Sequence, residues 1–252
     1  MNITWEPLIG PSCIKKHLLF YNQPMLRKII YFLIMVNYMV STNAISKDMP
    51  DNFVDLKKHI PSINLDLRYF TKNNFVGTRI DGYINPKALL SVEAANALKR
   101  IQSELAIFGL SLKIYDAYRP QQAVNHFIRW AKDSTDIKMK SYYYPEIEKK
   151  ELFKEGYLAN KSSHSRGSTV DVSIISLHGA KPEELDMGTN WDFFSNTSNP
   201  NSLSVTAQQR ANRMLLSHMM QKYGFKPHKK EWWHFTLEDE PYPDEYFNIP
   251  IK

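Results

Sequence analysis

The sequence changes character near residue 44, and this change limits what the rest of the chain can fold into. Residues 25–28 form a short basic start, and residues 29–40 form an apolar run that Asn37 interrupts. Thr42 and Ala44 then occupy the minus-three and minus-one positions of a small-residue cleavage site. These three parts are typical of a secretory signal peptide. The run is shorter than the roughly 20 apolar residues of a membrane span, so an uncleaved signal anchor is the less favoured alternative.

Residues 1–24 stand in front of this predicted signal. Because a signal peptide normally begins at its basic start, we interpret Met25 as the natural initiator and residues 1–24 as an over-long N-terminal extension. Residues 25–44 are then the signal peptide, and residues 45–252 are the mature chain. The mature chain contains no cysteine, since Cys13 lies in the part removed. We expect it to be exported, periplasmic or secreted, without a stable membrane span.

The net charge of +6 is unevenly distributed along the chain. Residues 1–44 carry four lysines and arginines against Glu6 alone, whereas the remainder carries 28 basic and 25 acidic side chains. Nucleic-acid binding would require a concentrated basic face, so we expect no nucleic-acid partner. The 208 residues after position 44 are enough for one domain with a sizeable core.

Hydrophobic periodicity in the mature chain predicts a mixture of helices and strands. The predicted helices are residues 86–108, 120–132 and 206–223, and the predicted strands are 63–67, 110–115, 169–175 and 232–237. Most of 138–160, 178–201 and the tail 239–252 is predicted to be irregular. Since the sequence shows no internal repeat and no obvious linker, we expect a single α+β domain with a small antiparallel sheet flanked by helices.

Two histidine-containing segments suggest a metal site. His164 lies in a small polar loop, Asp171 lies in the strand that follows, and His234 stands at the mouth of the last predicted strand. Two histidines and one carboxylate leave a fourth position open, as in a catalytic zinc site. Glu231 is then available as a general base. A zinc site with several cysteines is excluded, because Cys13 is the single cysteine.

The spacing of these residues leaves other interpretations open. A histidine in a polar loop is often simply solvated, and Asp171 between two valines fits a buried structural acceptor. Glu231 and His234 are three residues apart and would point to opposite faces of an ideal strand. The metal hypothesis therefore requires Glu231 to lie just before the strand or at a bulge. Arg119, where a strand meets a helix, is placed either to reach a substrate or to pair with Asp116.

Three segments of the chain together resemble a known family. Residues 115–120 (YDAYRP), 162–173 (SSHSRGSTVDVS) and 231–235 (EWWHF) are similar to the D-alanyl-D-alanine dipeptidases of the VanX type. These belong to the zinc DD-peptidase group, which also includes VanY-type carboxypeptidases. The resemblance extends over roughly residues 50–252 and implies a fold of the hedgehog/DD-peptidase type. Further similar segments are 65–69, 74–77, 140–145, 187–188, 191–193 and 239–243.

The resemblance implies a catalytic role for five of these residues. His164, Asp171 and His234 would bind one Zn²⁺ per chain. Glu231 would be the catalytic base and proton shuttle. Arg119 would stabilise the charge on the tetrahedral intermediate.

Three further residues would bind the substrate if the resemblance holds. Asp192 would pair with the free ammonium group of the substrate, and Tyr69 and Ser162 would line the dipeptide pocket. Residues 194–197 (FSNT) depart from the more charged run of the family.

The resemblance implies zinc-dependent hydrolysis of D-alanyl-D-alanine to two D-alanines. An exported form would act on dipeptide derived from the cell wall. The alternatives are a D,D-carboxypeptidase that trims peptidoglycan stem peptides and a non-catalytic relative that binds metal or peptide. The oligomeric state is not predicted.

Overall fold

Strand β5 (Thr169–Ser176) lies at the centre of the fold of residues 48–252, the part of the chain that the computed structural model describes. The extension predicted at 1–24 and the signal peptide predicted at 25–44 lie outside these residues. The helices are α1 (Leu56–His59), α2 (Val92–Ile107), α3 (Gln121–Lys132), α4 (Lys140–Tyr143) and α5 (Ala207–Lys222). The other strands are β1 (Phe53–Asp55), β2 (Asn64–Leu65), β3 (Leu89–Ser91), β4 (Leu110–Asp116), β6 (Glu183–Glu184), β7 (Phe225–Pro227) and β8 (His234–Leu237). Short 3₁₀ turns occupy Arg68–Phe70, Lys149–Glu151, Ser163–Arg166 and Asn196–Ser198.

The main sheet has the order β2-β4-β5-β8-β7, and β6 also pairs with β5. Every pair in this sheet is antiparallel except β2 and β4, which are parallel. β1 and β3 form a separate antiparallel pair. The predicted α+β fold is therefore confirmed, and its small sheet contains one parallel pair that the sequence pattern did not indicate. None of the helices in residues 48–252 has the length and apolar character needed to cross a membrane.

The start of the predicted helix 86–108 is wrong. Leu89–Ser91 form strand β3, which pairs with β1, and helix α2 begins only at Val92. The Ser91 side chain accepts a hydrogen bond from the backbone N–H of Ala94, and serine is a favoured residue at a helix N-terminus. Leu89 fits the helical periodicity by coincidence, since its position is used in the strand.

The other predicted elements agree more closely with the structure. Helix α5 begins with a capping box between Thr206 and Gln209, which explains its start. Helix α3 follows Pro120 as predicted. The last strand begins at His234, two residues later than predicted, and the predicted strand 63–67 is reduced to β2.

The register of three adjacent strands aligns the residues that the sequence singled out. A bulge in β4 shifts its pairing with β5, so that Asp116 rather than Tyr115 lies opposite Asp171. On the other side of β5, Asp171 lies opposite His234 of β8. Asp116, Asp171 and His234 therefore form a row across β4, β5 and β8, and the candidate site is built on this row.

Candidate active site

Three potential metal ligands converge beside β5. His164 Nε2 lies 3.2 Å from Asp171 Oδ1 and 3.3 Å from His234 Nδ1. Asp171 Oδ1 lies 3.2 Å from His234 Nδ1, so the three atoms form a nearly equilateral triangle, here called the metal triangle. His164 comes from the 3₁₀ turn before β5, Asp171 from β5 itself and His234 from the start of β8. The structure thus brings together the residues predicted to bind the metal.

Hydrogen bonds indicate which nitrogen of each histidine is free to bind a cation. His164 Nδ1 lies 2.7 Å from the carbonyl oxygen of Ala117, so Nδ1 is assigned as the donor and Nε2 keeps its lone pair. His234 Nε2 lies 3.2 Å from Ser163 Oγ, which leaves His234 Nδ1 toward the triangle. Burial also lowers the pKa of His164 and favours the neutral imidazole that binds metals.

The triangle has the size and chemistry of a metal site. Asp171 Oδ1 is buried and has no hydrogen-bond donor, and both facing histidine nitrogens are assigned as lone pairs. A tetrahedral ion with bonds of about 2.0–2.1 Å to nitrogen and oxygen separates its ligand atoms by about 3.3 Å. The observed separations of 3.2–3.3 Å match that spacing. A cation would therefore satisfy all three atoms.

The second oxygen of Asp171 is held by other groups. Asp171 Oδ2 accepts hydrogen bonds from the indole N–H of Trp191 at 3.2 Å and from Arg119 Nη2 at 3.5 Å. Burial opposes ionisation of Asp171, but these two donors, one of them a guanidinium, favour the charged form of its carboxyl group. The carboxylate is thus kept ionised and oriented with Oδ1 toward the triangle.

Glu231 reaches the same site from the turn before β8. The backbone N–H of His234 donates to the carbonyl of Glu231 at 3.2 Å, so the chain turns between them and both side chains reach one side. Glu231 Oε2 lies 3.6 Å from His234 Nδ1. Burial, helped by the charge of Asp171, raises the pKa of Glu231 to about 8. The position just before the strand, which the metal hypothesis required, is what the structure shows.

Arg119 lies between the metal triangle and a buried carboxylate. Its Nε donates to Asp116 Oδ2 at 2.9 Å, and Tyr83 donates to the other oxygen of Asp116 at 2.6 Å. The guanidinium carbon lies 5.0 Å from the centre of the Tyr69 ring. The two interpretations of Arg119 are therefore compatible, because the ion pair with Asp116 holds the guanidinium beside Asp171.

A further buried carboxyl group, that of Asp192, lines the same cavity as Arg119. The Tyr69 hydroxyl donates to Asp192 Oδ2 at 2.7 Å, and the side chains of both residues are buried. Burial, with the nearby charge of Asp171, raises the pKa of Asp192 well above its usual range. A cation bound next to Asp192 would lower this pKa and favour the ionised carboxylate.

These groups surround one small cavity of about 180 Å³. Its lining includes Glu231, Arg119, Asp192, Tyr69, Ser162, Asp171 and His234. His164 is fully buried behind them. The Ser162 side chain accepts a hydrogen bond from the backbone N–H of His164 at 3.3 Å, so it also shapes the turn that carries this histidine. The cavity is smaller than the roughly 300–1,000 Å³ of typical ligand pockets, which limits it to a small substrate.

Some residues of the site were not predicted from the sequence. Trp191 and Tyr83 hold the buried carboxylates of Asp171 and Asp116, and Tyr157 and His228 line the cavity. Trp191 is adjacent to Asp192 in the chain, which was the available signal. The roles of the others depend on contacts between distant segments.

A triangle of two histidines and an aspartate with one open side, next to a buried carboxyl group and an arginine, defines a metal-dependent hydrolase. The family described as D-ala-D-ala dipeptidase, peptidase M15, matches residues 49–252. The chain therefore belongs to this family and is a metallo-dipeptidase.

Individual relatives agree with this assignment. The D-alanyl-D-alanine dipeptidase of Enterococcus faecalis is 38% identical over 204 residues, which cover 81% of this chain and 100% of that protein. The Enterococcus faecium protein of the same description is 36% identical over 204 residues, again 81% and 100%. The Streptomyces coelicolor protein, with the same description, is 36% identical over 203 residues, 81% and 100%. The solved structure of the LD-carboxypeptidase LdcB is 16% identical over 76% of this chain and 70% of that chain, with a TM-score of 0.39, and it adds nothing to the assignment. The resemblance stated from the sequence motifs is confirmed.

Proposed function

We propose that this protein hydrolyses D-alanyl-D-alanine to two molecules of D-alanine, with one zinc ion per chain. One observation carries the proposal: the buried carboxyl group of Asp192 lies in the same small cavity as the metal triangle. The descriptions of the relatives as D-alanyl-D-alanine dipeptidases support it.

Zinc is the proposed metal because two imidazoles and one carboxylate, without thiolate, suit it well. When bound, zinc polarises a carbonyl group and lowers the pKa of a bound water to about 7. His164, Asp171 and His234 would hold it, and the side of the triangle that faces the cavity would stay open for water and substrate.

Two residues would carry the proton and charge transfers. Glu231 accepts a proton from the attacking water and returns it to the departing amine of the second alanine. Glu231 Oε2 lies 3.6 Å from His234 Nδ1, which places it within reach of a water bound on the open side of the triangle. Arg119 stabilises the negative charge that develops on the carbonyl oxygen. Its guanidinium lines the cavity and lies beside Asp171, one of the predicted zinc ligands.

The position of Asp192 favours a dipeptide over a longer peptide. An ammonium group at the substrate N-terminus would pair with Asp192, whose other partner is the Tyr69 hydroxyl. A substrate with an acylated N-terminus would leave this buried carboxyl group without a cation. Without that cation the Asp192 carboxyl group would stay protonated, because burial raises its pKa. An acylated substrate would then lose a charge-assisted hydrogen bond of about 1.5–3 kcal/mol, so a D,D-carboxypeptidase acting on stem peptides is disfavoured.

We further propose that the enzyme is exported and acts on dipeptide released from the cell wall. The three parts of a signal peptide at residues 25–44 support this, and the family match begins only at residue 49. An exported enzyme would not reach a precursor pool in the cytoplasm. N-terminal sequencing of the exported protein tests the proposal, since we expect Ile45 as its first residue. A mature start far from Ile45 would contradict the predicted cleavage.

A direct assay tests the proposed reaction. The purified chain is incubated with D-alanyl-D-alanine, its N-acetyl derivative or a stem pentapeptide, each with and without zinc. We expect zinc-dependent release of D-alanine from the free dipeptide alone. Release from the pentapeptide but not from the dipeptide would indicate a carboxypeptidase instead. A purified protein that contains no zinc and hydrolyses none of the three substrates would support the alternative of a non-catalytic binding protein.

A further inference from the structure

Arg213, on the inner face of α5, is a buried cation that contacts backbone carbonyls instead of a carboxylate. The residue is 2% exposed. Its Nε donates to the carbonyl of Met187 at 2.6 Å, and its Nη1 donates to the carbonyls of Thr197 at 2.9 Å and Asn199 at 2.8 Å. Burying a charge in this way is costly, so the contacts it makes need an explanation.

The three carbonyls belong to the two ends of one loop. This loop comprises residues 186–200. Met187 lies near its start, Asp192 near its middle, and Thr197 and Asn199 near its end. One guanidinium therefore ties both arms of the loop to helix α5. The neighbouring Asn212 adds a hydrogen bond from Nδ2 to the carbonyl of Asp186 at 2.8 Å.

Asp192 needs such support because its backbone is in an unfavourable conformation. Its φ of 59° makes it the one non-glycine residue in the left-handed region among residues 48–252. Such a conformation persists only where surrounding contacts enforce it. Trp191, just before it, stacks on Tyr115 and donates to Asp171. The loop is thus fixed at Trp191 by the sheet and at its two ends by Arg213.

We propose that Arg213 is a positioning residue that sets the affinity of the site for the ammonium group of the substrate. It acts through the loop, by holding Asp192 where its carboxyl group meets the cavity and the Tyr69 hydroxyl. The inference rests on the proposed function, in which Asp192 binds that ammonium group. Arg213 touches neither the metal triangle nor the reacting atoms, so it should affect recognition of the amino group rather than the chemical step.

Two inhibitors separate this role from a general structural one. The first is a phosphinate analogue of D-alanyl-D-alanine with its free amino group, and the second is the same molecule with hydrogen in place of that group. Inhibition constants are measured on the full chain at saturating zinc for the wild type, Arg213→Gln and Arg213→Lys. The matched control is Arg210→Gln. Arg210 lies one turn earlier on α5, and its Nη1 donates to the carbonyl of Val205, outside the loop.

In the wild type we expect the analogue with the amino group to bind at least about tenfold more tightly than the analogue without it, as a charged hydrogen bond would give. Arg213→Gln should remove most of that preference, because binding of the amino analogue weakens while binding of the other hardly changes. The preference of Arg213→Lys should lie between those of the wild type and Arg213→Gln, since a lysine can donate to some of the three loop carbonyls. Arg210→Gln should behave as the wild type.

Each other outcome overturns a defined statement. A wild-type preference that survives in Arg213→Gln, or two inhibition constants that rise in parallel, refutes the role of Arg213 but not the proposed function. A wild type without preference refutes the role of Asp192 and that of Arg213 with it. If Arg213→Gln does not fold, the ratio for Arg213→Lys decides by the same criterion.

Discussion

Asp171 and His234 lie directly opposite each other on neighbouring antiparallel strands, and Asp171 Oδ1 is 3.2 Å from His234 Nδ1. Opposed residues on one face of a sheet have Cβ atoms about 4.5–5.5 Å apart, which brings these side chains together. Two of the three predicted metal ligands are therefore positioned by strand pairing rather than by a loop. Sites on rigid elements are held more precisely than sites on loops, so the triangle should exist before a cation binds.

Removal of the metal should abolish activity without unfolding the protein. The core of the sheet does not depend on the triangle, but the stabilisation from the bound ion is lost. That stabilisation is about 2.7 kcal/mol when the free ion is at 100 times its dissociation constant. Activity, far-UV circular dichroism and the melting temperature are measured after chelation and after addition of Zn²⁺. Full activity in the chelated protein would contradict the assignment of the site.

Trp191→Phe should weaken zinc binding by about 10–100-fold, because outer-shell hydrogen bonds to metal ligands contribute this much. Phenylalanine retains an aromatic ring against Tyr115 but cannot donate to Asp171 Oδ2. Zinc affinity is measured by competition with a chromophoric chelator. Trp130→Phe is the control, since Trp130 is also buried but packs against Phe75 and Tyr144. Equal zinc affinities in the two variants would refute the role of the indole N–H.

Glu231→Gln should keep the zinc content and lower kcat by about 10²–10⁴-fold, the usual contribution of a general base. Glutamine has nearly the same shape and preserves the turn before β8, but it cannot accept a proton. Zinc content by atomic absorption and steady-state kinetics on D-alanyl-D-alanine are compared with those of the wild type. A variant with normal turnover would end the assignment of Glu231 as the base.

Arg119→Ala should lower kcat by about 10²–10³-fold, as expected for the loss of one group that stabilises a developing oxyanion. It should also destabilise the fold by about 3–5 kcal/mol, since Asp116 is buried and would lose its ion-pair partner.

The double variant Arg119→Ala/Asp116→Asn separates these two effects. Replacing the carboxylate by an amide removes the unpaired charge, so part of the stability measured by urea unfolding should return. The activity should not return. Recovery of both quantities would mean that Arg119 acts only through the fold.

The sequence motifs identified the metal triangle and Glu231 because their residue types are rare in such combinations. The residue types of His164, Asp171 and His234 suggested one shared metal site, and the resemblance to a family then favoured that interpretation over the alternatives. Their convergence itself depends on the sheet register and on a turn. Helix α5 was predictable from its own periodicity and cap. Strand β3 was not, because Leu89 and Leu90 satisfy a helical pattern as well as a strand. The roles of Trp191 and Arg213 depend on tertiary contacts that no local pattern records.

Gly167→Ala should destabilise the protein more than Gly156→Ala, although both glycines have a left-handed backbone. Their φ angles are 84° and 75°, and each alanine would incur about 1–2 kcal/mol for that conformation. At position 167 an added Cβ would also lie 2.0 Å from Phe53 Cζ, whereas at position 156 it would meet no atom within 4 Å. Gly167 ends the turn that carries His164, so its variant should also bind zinc more weakly.

The two glycine variants are compared by urea unfolding of the metal-free proteins and by zinc competition. Gly156→Ala isolates the backbone cost, and the excess loss in Gly167→Ala reports the clash with Phe53. Phe53→Leu in the Gly167→Ala background should restore part of the stability and of the zinc affinity, because the smaller side chain can give way. If Gly167→Ala and Gly156→Ala lose equal stability and neither changes zinc binding, then the turn around His164 tolerates displacement, and the packing of Phe53 against it does not help to place the ligand.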